Sequence, residues 1–356
     1  MSRESGELPP RLMGPPTIRA VARAAGVAPS TVSRVLNGKT RADSPLAARI
    51  LQVAAELGYH PNAAARDLRR GMRKLWGLIV PDLRNPFYSS INRTLEAVAR
   101  EAGYGILTAN SDEDPALEGQ LIQNMAAELV AGVVIAAVSS KQTDISPFRH
   151  RDIPVVAIDR HLTRWGVDEV RVDNLKGARD ATLHLLDCGA RRVACITGPH
   201  RASTATERAE GYAQALQERG MQVDAGLIRY ANFQRDGGAA AARSLLQASV
   251  PPDAILVANN KMTLGAAEII IELGLRMPDD VHLVGYDDID WAPLLLAGGL
   301  TTVYQPADAI GLEAGRLLRH RLQEPQAAQR TVVFQPELRV RAGPADRRNS
   351  EAATHS

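Results

Sequence analysis

Residues 17–37 read TIRAVARAAGVAPSTVSRVLN, and this stretch decides how the N-terminal part of the chain folds. The apolar positions of its first half have the i, i+3, i+4, i+7 spacing of one helix face: Ile18, Val21, Ala22 and Ala25. Thr17 precedes them and can cap the first turn, and Gly26 interrupts the pattern as a tight turn requires. Pro29 suits the first turn of a second helix, since the N–H that proline lacks has no helical partner there. The pattern predicts a helix-turn-helix.

The second predicted helix has an apolar side and a polar side. The apolar residues are Val32, Val35 and Leu36, and the polar ones are Ser30, Ser33, Arg34 and Asn37. Arg34 can donate two hydrogen bonds to guanine O6 and N7, and Ser30 can reach a base edge or a phosphate. Phosphate contacts fix register without reading sequence, and we assign them to Thr31, Ser33 and Asn37, with Thr17 as a further DNA contact. The alternative is an ordinary helical hairpin with a solvated outer face.

The charge of the chain is divided unevenly. Residues 1–75 hold 13 lysines and arginines against 5 aspartates and glutamates, a net charge of +8, whereas the remaining residues hold 29 against 35, a net charge of −6. A basic head on an acidic body indicates that nucleic-acid binding is confined to one end.

Two segments resemble the DNA-binding headpiece of the LacI/GalR (lactose-repressor/galactose-repressor) family: GVAPSTVSRVLNGK at 26–39 and ELGYHPNAAARDLRRG at 56–71. The resemblance implies a hinge helix that folds only when two copies meet in the minor groove of DNA. Leu68 matches the apolar wedge that opens the central base step. The other hinge residues expected to contact DNA are Asn62, Arg66 and Arg69.

From residue 75 onward, short apolar runs alternate with amphipathic helical stretches. The runs are LWGLIV (75–80), GILTA (105–109), GVVIAAV (132–138), PVVAID (154–159), RVACIT (192–197), DAILVA (253–258) and VHLVGY (281–286). This alternation is typical of a doubly wound parallel sheet, and the body is long enough for two such α/β lobes. The body then resembles the family's effector domain, which is shaped like a periplasmic sugar-binding protein, with chain crossings expected near 160, 305 and 328.

The sequence therefore predicts an all-α headpiece followed by a two-lobed α/β domain. The expected segments are a disordered tail (1–16), the helix-turn-helix domain (17–61), the hinge helix (62–72), the effector-binding and dimerisation domain (73–342) and a second disordered tail (343–356).

Ligands of open α/β sheets bind beyond the carboxyl ends of the strands, so the residues after each apolar run are candidates. We select Phe87, Tyr88, Asp159, Arg160, Arg208, Asn260, Asp287 and Trp291. Carboxylates, amides and arginines around aromatic rings suit a polyhydroxylated effector, since each buried hydroxyl needs a donor or an acceptor. The family usually has aspartate where this chain has Asn260, so the preferred carbohydrate differs if that residue contacts it.

Other classes of function are disfavoured. NGKT at 37–40 ends like a phosphate-binding loop, but Ser33 stands where glycine is needed. The histidines have no metal-ligand spacing, and no catalytic motif is present, so neither a cofactor nor a metal nor an enzyme is predicted. A transport binding protein is the stronger rival. Residues 1–16, MSRESGELPPRLMGPP, lack the apolar centre expected of a signal peptide, and no apolar run is long enough for a membrane span. We expect a cytoplasmic, homodimeric repressor that binds a pseudo-palindromic operator and a small-molecule effector.

Overall fold

The computed structural model describes residues 16–36, 44–59, 74–290, 292–294 and 299–341. The chain divides into two compact units, residues 1–71 and 72–356. Several predictions lie outside the described residues. They concern Asn37, Asn62, Arg66, Leu68, Arg69 and Trp291, the hinge at 62–72, the tail at 343–356 and residues 1–15 of the N-terminal tail.

The first unit contains the predicted pair of short helices and a third helix. Their bounds are α1 Ile18–Ala25, α2 Pro29–Leu36 and α3 Pro45–Glu56. The Thr17 side chain caps α1 by accepting a hydrogen bond from the Ala20 N–H at 3.3 Å. Gly26 ends α1 with φ 71, a left-handed conformation that glycine adopts without steric cost. Fully buried apolar side chains from the three helices, Val21, Val32 and Ile50, form a common core, as the helical periodicity predicted for the first two.

The second unit alternates strands with helices. Its strands are β1 Leu75–Val80, β2 Gly105–Asn110, β3 Gly132–Ile135, β4 Val155–Ile158, β5 Asp168–Val172, β6 Val193–Thr197, β7 Ile228–Tyr230, β8 Ala254–Val257, β9 His282–Tyr286, β10 Thr302–Tyr304, β11 Thr331–Phe334 and β12 Glu337–Arg339. Its α-helices are α4 Pro86–Glu101, α5 Pro115–Ala127, α6 Ser146–Arg149, α7 Asn174–Asp187, α8 Ser203–Glu218, α9 Arg235–Leu246, α10 Asn260–Glu272 and α11 Ala307–Gln323. All seven apolar runs form strands, as predicted.

The strands form two six-stranded sheets. The first has the order β11-β5-β4-β3-β1-β2 and is parallel throughout, and the second has the order β12-β10-β9-β8-β6-β7 with only β12 antiparallel. Each sheet has an apolar core on both faces. We call the first sheet with α4, α5, α6 and α11 the N-lobe, and the second sheet with α7 to α10 the C-lobe. The predicted α/β class with two lobes is confirmed.

The chain crosses between the lobes after β5, between β10 and α11, and between β11 and β12. The crossing predicted near 305 agrees with the second of these. The predictions near 160 and near 328 were wrong, since the chain crosses at 172–174 and at 334–337 instead. The first error arose because β5, DEVRV, is not an apolar run. Its Asp168 is buried and forms an ion pair with Arg321 at 2.8 Å, which allows a charged residue to occupy an interior strand position.

Two helical glycines allow a matched test of this packing. A Cβ at Gly211 in α8 would meet the Leu175 carbonyl oxygen of α7 at 2.1 Å, whereas a Cβ at Gly119 in α5 meets nothing within 4 Å. We expect Gly211→Ala to lower the free energy of unfolding by about 2 kcal/mol or more, since two helix backbones must separate. Gly119→Ala should raise it by about 0.5–1 kcal/mol. Urea denaturation followed by circular dichroism measures both, and equal effects would contradict this packing.

Candidate functional site

The first candidate site is the outer side of α2. Ser30 and Arg34 are exposed, and Thr31 and Ser33 are half-buried. These are the positions opposite Val32 and Val35, which are buried against α1 and α3. The described part of the headpiece carries four exposed arginines (Arg19, Arg23, Arg34 and Arg49) against one glutamate, Glu56. A positively charged, polar helix face of this size suits the major groove of DNA.

The second candidate site is a cavity between the two lobes, with about 400 Å³ of space when the part open to solvent is included. It lies beyond the ends of the strands and is lined by Pro81, Asp82, Asn85, Phe87, Tyr88, Glu113, Asp159, Arg160, Thr204, Arg208, Phe233, Gln234, Asn259, Lys261, Asp287 and Gln305. Six of the eight predicted effector residues are brought together here: Phe87, Tyr88, Asp159, Arg160, Arg208 and Asp287. Asn260 is buried between two lining residues, and Trp291 is outside the described residues.

Local structure places the two aspartates in equivalent ways. Asp159 follows β4 in the N-lobe, and Asp287 follows β9 in the C-lobe. Both have left-handed backbone conformations, with φ 63 and φ 70. Aspartate tolerates this region better than most residues, and the turn directs each carboxylate away from its sheet. Each is only 6% exposed.

The N-lobe half of the cavity is a charged network. Arg160 donates two hydrogen bonds to Glu113, at 2.9 and 2.6 Å, and a third to the Ala137 carbonyl at 3.1 Å. The Tyr88 hydroxyl donates to Asp159 at 2.8 Å. Burial raises the pKa of Asp159, although Arg160 and Arg208 oppose this effect by favouring the charged form.

The C-lobe half is built around Arg208 on α8. Its guanidinium donates to Asn174 Oδ1 at 2.9 Å and to the Ala258 carbonyl at 2.5 Å, and it lies 3.7 Å from the centre of the Tyr286 ring. Asp287 accepts a hydrogen bond from Gln305 at 2.5 Å. Burial raises the pKa of Asp287, and Arg208 and Gln305 oppose that shift.

Three buried polar atoms at this site have no hydrogen-bond partner within the described structure. They are Arg160 Nε, Asn260 Oδ1 and Gln305 Oε1. A buried polar group without a partner costs roughly 1–3 kcal/mol. These atoms are one hydrogen-bond donor and two acceptors. They suit a ligand rich in hydroxyl groups, because a hydroxyl group can donate and accept hydrogen bonds.

Ten lining residues were not selected from the sequence, among them Glu113, Phe233, Gln234 and Gln305. Gln305 directly follows β10, so the strand-end rule would have found it had TVY been recognised as a strand. Glu113 comes a few residues after β2, and Phe233 and Gln234 come a few residues after β7. Their positions depend on the path of a loop, which no local pattern in the sequence predicts.

Two further observations bear on the class of protein. Within the described ranges, histidine, cysteine and carboxylate side chains form no group that could hold a metal ion. The described helices also include none with both the length and the apolar character needed to cross a membrane.

Comparison with known proteins assigns a family to each unit. Residues 17–62 match the family described as "Bacterial regulatory proteins, lacI family". Residues 74–337 match "Periplasmic binding proteins and sugar binding domain of LacI family".

Individual relatives match over nearly the whole chain. The ribose operon repressor of Escherichia coli (strain K12) is 31% identical over 326 residues, covering 91% of this chain and 98% of that protein. A solved complex of the transcriptional regulator CelR with cellobiose is 32% identical and has a TM-score of 0.70, covering 92% and 99% of the two chains. The lac repressor dimer bound to operator and the anti-inducer ONPF is 26% identical, with a TM-score of 0.80 and coverage of 92% and 98%.

The helix-turn-helix unit, the two-lobed unit and these matches agree. The chain is a DNA-binding transcription regulator with an effector domain of the sugar-binding type rather than an enzyme, and it belongs to the LacI family.

Proposed function

We propose that this regulator is a cytoplasmic repressor whose operator affinity is controlled by a carbohydrate bound in the cavity between the lobes. The observation that carries the proposal is the set of buried polar atoms without a hydrogen-bond partner on Arg160, Gln305 and Asn260. Arg160 and Gln305 line one cavity, and Asn260 is buried between two residues that line it. A hydroxyl-rich molecule would satisfy them. The solved relative CelR binds cellobiose, which is consistent with this chemistry.

The DNA-binding half of the proposal concerns α2. Arg34 reads a guanine in the major groove, and Ser30 contacts a base edge or a phosphate. Thr17, Thr31 and Ser33, together with Asn37, contact phosphates and fix the register of the helix on DNA. The exposure of Ser30 and Arg34 on one side of α2 supports this division of roles.

The hinge residues carry the third part of the proposal. Leu68 inserts into the central base step, and Asn62, Arg66 and Arg69 contact the flanking backbone. This assignment rests on the resemblance of segment 56–71 to the family's hinge. The regulator acts as a homodimer whose two-fold symmetry matches a pseudo-palindromic operator, as in the related lac repressor dimer bound to operator.

Selection of binding sites from random duplex DNA, with and without a panel of sugars including D-ribose and cellobiose, tests the function as a whole. A palindromic site whose enrichment changes with one sugar is the expected result. Enrichment that no sugar changes would overturn the carbohydrate effector, and the absence of any enriched site in all conditions would overturn the repressor.

Arg34→Ala tests direct base reading. We expect operator affinity to fall by about 1–3 kcal/mol, with relaxed preference at one base pair in each half-site. Arg23→Ala is the matched control, since it removes an equally exposed arginine from α1. The control should weaken all sequences to a similar degree. Fluorescence anisotropy on the selected site and its single-base variants measures both, and equal discrimination by the two variants would contradict base reading by Arg34.

Leu68→Ala tests the hinge. Loss of the apolar wedge should weaken operator binding by a factor of about ten or more, since unstacking is no longer compensated by buried apolar surface. The substitution should leave the melting temperature of the effector domain equal to that of the parent, both with the active sugar and without it. Leu51→Ala, at an exposed leucine of α3, is the control. Operator affinity equal to that of the parent would refute the wedge.

Asp287→Asn tests the cavity. The substitution keeps size and shape but replaces a charged acceptor, so affinity for the active sugar should fall by about 1.5–3 kcal/mol. Operator affinity without sugar should be retained. Asp279→Asn, which changes a surface aspartate of the same lobe, should alter neither quantity. Isothermal titration with the sugar provides the measurement, and unchanged sugar affinity would remove Asp287 from the site.

A further inference from the structure

Three side chains contact one another across the cleft at one edge of the cavity. Asp82 follows β1 in the N-lobe, whereas Gln234 and Lys261 belong to the C-lobe, at the starts of α9 and α10. None of them lies in a segment where the chain crosses between lobes. Asp82 and Gln234 also border an outer pocket lined by Leu83, Arg84, Asn110, Asp112 and Asp236, so the cluster lies where the cavity meets the surface.

The Asp82 carboxylate is fully engaged by protein groups. It accepts hydrogen bonds from the Arg84 backbone N–H at 3.0 Å and from the Arg84 guanidinium at 3.0 and 3.2 Å. From the C-lobe it accepts hydrogen bonds from the Lys261 ammonium and from the Gln234 amide, the latter at 3.4 Å. A carboxylate has about four lone-pair sites, so none remains for an effector.

Lys261 and Asp82 form an ion pair that is more buried than most of those among the described residues. The Asp82 side chain is 5% exposed and the Lys261 side chain 21% exposed. The Lys261 ammonium also donates to Gln234 Oε1 at 3.0 Å. Burial opposes ionisation of Asp82, but the hydrogen bonds from Arg84 and Lys261 outweigh it and lower the pKa to about 2. Removing one member of such a pair leaves an uncompensated charge, which is costly.

A second bond between the lobes lies beside this cluster. Asn260, next to Lys261, donates from Nδ2 to Asn85 Oδ1 at 2.8 Å. Other contacts between the lobes involve different parts of the cleft, such as Arg201 to the Glu113 carbonyl at 2.8 Å. The cluster of Asp82, Gln234 and Lys261 is therefore one charged part of a wider set of contacts, which also includes the ion pair of His161 with Glu207 at 2.6 Å.

We propose that Asp82, Gln234 and Lys261 form a latch that holds the two lobes closed without an effector and thereby sets effector affinity. The inference rests on the proposed function of the cavity and adds its regulation. If the effector binds the closed form, its apparent affinity scales with the fraction of molecules already closed. Weakening the latch lowers that fraction and speeds entry, although Asp159, Arg208 and Asp287 are unchanged.

The test uses the full-length, ligand-free protein and a thiol reporter inside the cavity. Thr204 lines the cavity in the C-lobe and is 2% exposed, so Thr204→Cys reacts with a maleimide only when the cleft opens. Cys188→Ser removes the exposed native thiol, and the fully buried Cys195 remains as an internal control for unfolding. Peptide mass spectrometry follows labelling of residues 204 and 195 separately.

We expect Lys261→Met to speed labelling at residue 204 by a factor of about ten or more while labelling at Cys195 stays constant. Asp82→Asn should have the same effect and decides the question if Lys261→Met does not fold. Lys261→Arg, which keeps the charge, should retain a rate near that of the parent. Lys176→Met, which breaks an ion pair within α7, is the matched control and should leave both rates unchanged.

An unchanged rate at residue 204 in both latch variants would overturn the latch, and so would equal acceleration at residues 204 and 195, which indicates general destabilisation. Because no sugar and no DNA are used, either result leaves the proposed effector and operator functions to be judged by their own experiments.

Discussion

The burial of charge between two lobes is the constraint on which the effector domain depends. Asp159 and Asp287 are each 6% exposed, and a buried carboxylate is tolerated only where donors or cations face it. These partners come from separate parts of the chain: the Tyr88 hydroxyl from α4 and the Gln305 amide from a crossing segment. The cavity can therefore form only when helices, strand ends and crossings are all in place.

The buried arginine of each lobe lies over an aromatic ring. Arg208 lies 3.7 Å from the ring centre of Tyr286, within the C-lobe, whereas Arg160 of the N-lobe lies 5.3 Å from the ring centre of Phe233 in the C-lobe. A guanidinium over an aromatic face keeps a favourable electrostatic contact away from water. Since the second pair joins the lobes, the charge on Arg160 is stabilised more fully when the cleft is closed.

Local patterns predicted most of the fold. The headpiece helices follow from the spacing around Val21 and Val32, because their stability depends on residues close in sequence. Apolar runs predicted the interior strands and hence Asp159 and Asp287 at their ends. The strand DEVRV was missed because its interior charges are paired with residues far away in the chain, such as Arg321 with Asp168. Glu113 and Gln234 were missed because they lie on loops whose paths depend on tertiary packing.

The start of α10 links recognition to closure. Asn259 caps the helix by accepting from the Met262 N–H at 2.9 Å, which fixes the orientation of the two residues that follow. Asn260 then bonds to the N-lobe with its amide nitrogen and leaves its buried oxygen unpartnered. A molecule that donates to that oxygen and also contacts the N-lobe binds the closed form better than the open one, so binding and closure are linked thermodynamically. Because Asn260 at the start of α10 takes part in both, an effector that binds there changes how far the two lobes are separated.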